Sequence, residues 1–456
     1  MERPRFRQAL ASFSSIAVTS AVLLWPKDAY ADMTLFKSEE EEENGWEFYS
    51  NGRLNAFFSW NRGEGYPVAP LDANNAPLYQ FKAGAGGTGA EVNVSATPIP
   101  LPGGGSYIPQ GTIDSMRIRS GFVANVVGFG IRKNLNATTR VTGFVSIWSV
   151  VESEARRKYF PNLPDVREGY VKIEGLWGSF LAGKALTLFN RGATNADFRY
   201  LHGYALGYPG DIDIKGPAAG LIGFGVLGST FSGGLVYATP TLAGVQLSAG
   251  IYDPAALTGS GLSRTGMVRT EFELTVDEPL GTLGKVHVFL NGTTQKLYRN
   301  NEPDSISETV QGFGTGAHVE LGPVRLAAGL HRGKGLGLFF ALQPSDSTFN
   351  DASQLRHSDG FFAIGQLVLG KFDINLGYGR TRVTPLGDDM LPDPTKANGY
   401  PKFSLIRSQT GMAAAVVFHA TDWLHFAADV MHADFRWTLN DKQRVNFFNA
   451  GTTFTW

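Results

Sequence analysis

The last residues of the chain alternate in character. Phe448, Ala450, Thr452, Phe454 and Trp456 share one face, and Asn449, Gly451, Thr453 and Thr455 share the other. A period of two marks a β-strand, because successive side chains point to opposite sides of the backbone. The same alternation recurs upstream. Val245, Leu247, Ala249 and Ile251 alternate with Gln246, Ser248 and Gly250, and Phe372, Ile374, Leu376 and Tyr378 alternate with Asp373, Asn375 and Gly377. Beyond residue 31, no long stretch keeps the helical period.

The pattern predicts a first strand over Trp46–Trp60, followed by seven pairs joined by short turns. The first four pairs are Ser115–Lys133 with Thr138–Glu152, Arg167–Glu174 with Ser179–Ala185, Leu235–Ala238 with Val245–Tyr252, and Met267–Val276 with Lys285–Lys296. The remaining three are Val310–Glu320 with Val324–Arg332, Phe361–Leu369 with Lys371–Arg380, and Ser408–Phe418 with Trp423–Phe435. A closing strand covers Val445–Trp456. The total is even, as a closed antiparallel sheet with both ends on one side requires. The turns of a few residues stand against long Gly- and Pro-rich segments such as 61–114, 333–360 and 381–402. That asymmetry fits short periplasmic turns and long outer loops. The expected fold is all-β, a closed antiparallel transmembrane β-barrel of about 16 strands. In it the closing strand pairs with the first, and Phe454 and Trp456 meet lipid at the periplasmic rim. Trp60, with Trp46, Trp148, Trp423 and Trp437 near other predicted strand ends, is expected to anchor the membrane interface.

Hydropathy alone points elsewhere. The mean hydropathy is −0.09, and beyond residue 31 no apolar run reaches the ~18–20 residues of a transmembrane helix. A barrel reconciles these facts, since only every second residue faces lipid. The N-terminus carries export features. Arg3, Arg5 and Arg7 precede the apolar stretch Ala9–Trp25, and Ala29, Tyr30 and Ala31 form a small-x-small cleavage site. The expected organisation is a signal peptide over 1–31 cleaved after Ala31, an acidic solvated tail over 32–45 with the run Glu39–Glu43, and a barrel over 46–456. Without 1–31, 36 basic residues face 39 acidic ones, a net charge of −3. So near-neutral a chain implies no nucleic-acid partner. It contains no cysteine, so it needs no disulfides in an oxidising periplasm.

Arg269, Glu271 and Glu273 fall on successive inward positions opposite Val268, Thr270, Phe272 and Leu274. Burying unpaired charges is costly, so this row predicts water inside the barrel. Sixteen strands leave room for an aqueous channel.

Two stretches resemble a known family. Arg167–Gly175 followed by Gly178–Lys184 is similar to the hairpin that runs into the third loop of the general bacterial porins of Gram-negative outer membranes. Gly234–Pro240 is similar to the strand and turn that follow that loop, and the last strand resembles the porin C-terminal signature read by the barrel-assembly machinery. The resemblance implies a sixteen-stranded homotrimeric channel whose third loop, here residues 185–233, folds into the lumen. It implies acidic residues on that loop facing basic residues on the wall. Tyr208, Pro209, Gly210 and Asp211 resemble the family's aromatic-Gly-Gly-Asp turn, so the acidic role carries to Asp211 and Asp213. The wall role carries to Arg117 and to Lys184, where the family has arginine, with Arg119 and Lys172 expected on the same inward face. Opposed charges across a narrow neck orient polar solutes. The expected function is passive diffusion of small hydrophilic solutes and ions across the outer membrane, among its lipids, with no cofactor and no catalysis. A substrate-specific channel for phosphate or sugars is the runner-up. A barrel enzyme would need a serine converging with His331 or His425, and an adhesive barrel would act through its long first loop. The glycine-rich run Gly84–Gly89 does not follow a strand within a βαβ unit, and the eight histidines show no metal-ligand spacing.

Overall fold

A computed structural model describes residues 32–38, 45–65, 69, 78, 80–82, 99–100, 106–107, 112–121, 123, 125–149, 151, 165–201, 220–255, 266–298, 307–342, 354–392, 399–401 and 403–456. In it the alternating segments form a closed antiparallel barrel of 16 strands. In chain order the first eight are Glu47–Glu64, Thr112–Arg119 continued by Asn125–Asn136, Thr139–Ser149, Asp165–Gly175, Gly178–Leu186, Phe231–Ala238, Val245–Tyr252 and Arg269–Pro279. The last eight are Gly284–Tyr298, Ser307–Leu321, Val324–Lys334, His357–Leu369, Phe372–Thr384, Phe403–His419, Leu424–Trp437 and Lys442–Thr455. Each pairs with its neighbour, and the sixteenth pairs with the first from Arg53↔Thr455 to Gly63↔Val445. Closure leaves no free sheet edge to template aggregation.

Alternation places the faces. On the first strand Leu54 and Phe58 are exposed on the outside, while Arg53, Asn55, Phe57 and Ser59 are buried on the inside. Trp456 faces outward. Its indole covers the Gly52 backbone, where a Cβ would strike the ring, and its Nε1–H donates to Ser50 Oγ at 3.1 Å. The Phe454 ring lies 5.9 Å from Trp456 and 5.5 Å from Trp423. These aromatics form an outward belt at the end of the barrel that carries the short turns. Trp60 packs on Phe448 at 5.4 Å, nearer the long-loop end.

Three details depart from the sequence-based expectation. First, the acidic tail begins as a strand. Met33–Lys37 pairs with Glu47–Ser50, covering the ladder edge that the sixteenth strand leaves when it stops opposite Arg53. The run Glu39–Glu43 lies outside the described residues. Second, the second strand is interrupted between Arg119 and Asn125. Side chains of both strands replace the missing ladder bonds. Asn55 N–H donates to Asn125 Oδ1 at 2.7 Å, and the Arg53 and Asn55 side chains donate to the Val123 carbonyl. Third, Trp148 and Trp437 face inward and are buried. Parity along the strand, not nearness to its end, decides the face. Trp437 packs with Leu338, Val383 and Ile406, and Trp148 donates to Ser146 Oγ at 3.0 Å.

Candidate functional site

Described residues between the fifth and sixth strands pack against inward side chains of the barrel. The described parts of this segment are an entry at 187–190, the helix Arg191–Leu201 and a return at 220–230. The entry is fastened to the inward faces of the eighth and ninth strands. Phe189 N–H donates to Glu271 at 2.8 Å, Asn190 N–H donates to Asn291 Oδ1 at 3.1 Å, and Arg191 pairs with Glu273. The row Arg269, Glu271 and Glu273 is therefore not solvated, as the alternation alone suggests. All three are buried, Arg269 pairs with Glu271 at 3.1 Å, and the segment supplies the Phe189 N–H to Glu271 and Arg191 to Glu273. Ionised groups survive burial when paired, and here both glutamates are, while Arg269 Nε and Nη2 make no hydrogen bond among the described residues.

The return lies against the opposite half of the same wall. Gly225 N–H donates to Thr381 Oγ1 at 2.8 Å, and the Gln409 side chain donates to the Gly223 carbonyl. The Phe224 carbonyl sits where a Cβ on Gly379 would fall, so glycine lets the two backbones meet. Leu221, Ile222, Phe224 and Val226 share one apolar cluster with inward Phe362, Val417, Met431 and Phe435 of the barrel. Helix and return are clamped by Asp197, whose Oδ1 accepts Leu221 N–H at 2.8 Å, and by Thr194, whose Oγ1 accepts Ser229 N–H at 3.0 Å. Burial pushes the Asp197 carboxyl well above the usual carboxylate range.

The first five strands form the facing wall. Arg119 and Lys172 lie on its inner side, both buried, and Lys172 pairs with Glu174 at 2.8 Å. Arg117 lies opposite Ser59 in the ladder, at the same parity as Arg119; its side chain is outside the described residues. Asp211 and Asp213 are also outside them. Lys184 does not join this wall. Register pairs it with Gly169 and Gly233, at the parity of exposed Phe180 and Leu235, so it faces outward. Its Nζ donates to the Val166 carbonyl at 2.9 Å. The expectation fails because parity is counted from Lys172: Lys172 opposes Leu181, which puts Lys184 on the other face.

Other inward groups carry no motif and become visible only through register. Arg132 binds Asp32 and Glu47, both at 2.7 Å, and lies over the Tyr49 ring. Arg167 binds Asp165 at 2.6 Å and stacks on Trp148. At the short-turn mouth, Asp373 Oδ2 lies 3.0 Å from His419 Nε2, and His419 Nδ1 lies 2.8 Å from His425 Nδ1. His287 and His318 stack there at 4.6 Å, with Asp277 on His287 at 2.8 Å. Alternating strands could have flagged these histidines as inward; their pairing across strands needed the register.

An apolar outer belt, a closed ladder and a polar inner face define an outer-membrane channel of the barrel type. A family model for Gram-negative porins matches residues 27–455, and the chain belongs to that family. Its fold is similar to the outer membrane channel DcaP of Acinetobacter baumannii, at 10% identity and a TM-score of 0.60 over 92% of this chain and 99% of that one. It is also similar to an anion-selective porin from Comamonas acidovorans, at 10% identity and a TM-score of 0.54 over 90% of this chain and 100% of that one. No curated protein sequence matches the chain. The protein is an outer-membrane channel for passive diffusion.

Proposed function

We propose that small hydrophilic solutes and ions cross through the gap between the segment 185–233 and the inner wall of the first five strands. The observation that carries this reading is the one-sided hydrogen bonding of the segment. Its described side-chain hydrogen bonds to the barrel wall run to strands eight, nine, thirteen and fourteen through Glu271, Glu273, Asn291, Thr381 and Gln409, whereas it meets the wall that carries Arg119 and Lys172 through apolar contact, Phe231 on Trp148 at 5.6 Å. Asp211 and Asp213 would then oppose Arg117, Arg119 and Lys172 across the neck, where opposed charges orient polar solutes. Family membership supports a homotrimer, a signal peptide cleaved after Ala31, and a last strand with Phe454 and Trp456 that the assembly machinery reads.

Single-channel recording of the purified mature protein in a planar bilayer tests the reading. Large ohmic steps with little solute block are expected. Block by one sugar or by phosphate at low concentration would replace it with a substrate-specific channel, and absence of steps would remove it. Asp211→Asn with Asp213→Asn is expected to lower cation preference. An unchanged reversal potential in a salt gradient would take these two residues out of the neck.

A further inference from the structure

The short-turn mouth holds two inward histidine pairs that passive diffusion does not use. His419 and His425 stand directly opposite each other across the hairpin of strands fourteen and fifteen. His287 and His318 do the same across strands nine and ten. The two pairs are built differently. His287 and His318 lie face to face, with ring centroids 4.6 Å apart and planes 29° apart. An imidazole lone pair lies in the plane of its ring, so stacked rings aim theirs side by side and not at one point. His419 and His425 meet edge-on, with planes 80° apart, and their Nδ1 atoms approach to 2.8 Å.

The edge-on pair is also oriented from behind. His419 Nε2 lies 3.0 Å from Oδ2 of Asp373, a residue 5% exposed on strand thirteen. An ionised carboxylate only accepts, so it holds the His419 proton at Nε2 and leaves Nδ1 as a bare lone pair. Gln366 donates to Asp373 at 3.4 Å and to Asn375 at 2.8 Å, and Arg325 in turn donates to Gln366 at 3.0 Å. Thr421 Oγ1 fixes the hairpin turn by accepting the amides of Trp423 and Leu424. The His419 side chain is 32% exposed, so part of the ring faces solvent.

Metal-ligating histidines are commonly backed in this way by a carboxylate on the other ring nitrogen. Two nitrogens on one tetrahedral zinc stand about 3.3 Å apart. From 2.8 Å the pair reaches that spacing by opening about half an ångström. We propose that His419 Nδ1 and His425 Nδ1 bind one divalent ion of the zinc, nickel or copper class at the short-turn mouth. The same approach makes a hydrogen bond from His425 Nδ1–H to His419 Nδ1; an ion takes that proton's place, and the proton moves to His425 Nε2. Among the described residues no cluster of three or more ligating side chains is placed to hold a metal, so water fills the other positions. Imidazole favours these ions over calcium and magnesium, which take oxygen ligands. The spacing of the two histidines along the chain carries no such signal; the hairpin register supplies it.

The test is equilibrium dialysis of zinc against the untagged mature protein in uncharged detergent, followed by metal analysis. One zinc per chain is expected, retained against excess calcium. His419→Gln and His425→Gln should each weaken binding at least tenfold. Asp373→Asn should weaken it by about ten- to a hundredfold, the usual cost of losing a partner behind a ligand. His287→Gln should bind as the parent does. Copper gives an independent readout: its electron paramagnetic resonance signal should show coupling to two imidazole nitrogens in the parent and to one in His425→Gln. Heat-modifiable migration on gels confirms a folded barrel for each variant. No zinc on the parent, parent-like binding by both His419→Gln and His425→Gln, displacement by calcium, or an equal loss in His287→Gln would each overturn the proposal and leave a hydrogen bond between two histidines. Parent-like binding by Asp373→Asn would overturn the orienting role of the carboxylate. None of these readouts depends on conduction through the lumen.

Discussion

The attachment of the lumen segment offers the sharpest test of how the channel is shaped. Its first helical residue, Arg191, pairs with Glu273, whose side chain is 3% exposed. Truncating Arg191 to methionine keeps most of its apolar stem but strands a buried carboxylate. Removing one partner of a buried pair costs about 3–5 kcal/mol. Arg269, which holds neighbouring Glu271 at 3.1 Å, remains to offset part of that charge, so the lower end applies. About 3 kcal/mol corresponds to roughly a hundredfold rise in the population of detached segment. Single-channel recordings should then show brief excursions to a larger conductance that are rare in the parent. Arg191→Met with Glu273→Leu removes both charges, and replacing a buried pair by apolar groups is often close to neutral. The double variant should therefore return toward the parent trace, with the two substitutions coupled by more than 1 kcal/mol. If the single and double variants both behave as the parent, the pair does not hold the segment, and the proposed route along the facing wall loses its main support.

Three further outcomes follow from local contacts. Asp197→Ala leaves the buried Leu221 N–H without an acceptor, and hydrogen exchange at that amide should quicken by an amount equivalent to about 1–3 kcal/mol. Asp197→Asn keeps the acceptor and should also flatten the pH response. A carboxyl raised by burial contributes stability that is fully present below its unfolded value near pH 4 and is lost as pH rises through the folded one; faster exchange in the Asn variant at high pH would contradict this. Gly379→Ala places a methyl on the Phe224 carbonyl and should loosen the return by about 1–3 kcal/mol, giving the same large-conductance excursions as Arg191→Met; parent-like traces would mean the return does not bear on the open pore. Gly52→Val drives the Trp456 indole off the closing seam, and folding into lipid vesicles, followed by heat-modifiable migration, should slow; an unchanged rate would leave Trp456 without a role in closure.

Most of the barrel was legible because a β-strand writes its two faces into the sequence. Phe372 to Tyr378 and Phe448 to Trp456 declare lipid at every second residue, and the antiparallel pairing of the sixteenth strand with the first follows from the even strand count. The interior was far less legible. Distance to a strand end places Trp148 and Trp437 at the interface, and resemblance places Lys184 on the inner wall, yet each takes its face from parity, and one step along a strand reverses the answer. Arg269, Glu271 and Glu273 gave the right face and the wrong surroundings. Alternation reports that a side chain points inward, but not whether water or another part of the chain meets it. The partners Phe189 and Arg191 lie about 80 positions away in a segment with little periodic signal.

That last point explains how the interior can be polar without being uniformly wet. A barrel of this width is too large for its own side chains to fill, so some chain must enter if the lumen is to be narrower than the sheet. Apolar packing favours entry but is non-directional. Leu221, Ile222, Phe224 and Val226 could slide along an apolar wall with little change in buried area. Glu271, Glu273 and Asn291 remove that freedom, because each satisfies one particular donor at the point where the segment enters. Gly379 does the same at the return, by admitting the backbone of Phe224 and no bulkier approach. Inward polarity thus divides between two halves of the wall. On strands eight to fifteen it positions the segment. On the first five strands Arg132, Arg167 and Lys172 are each held by a neighbouring carboxylate, which fixes basic groups along that part of the inner wall.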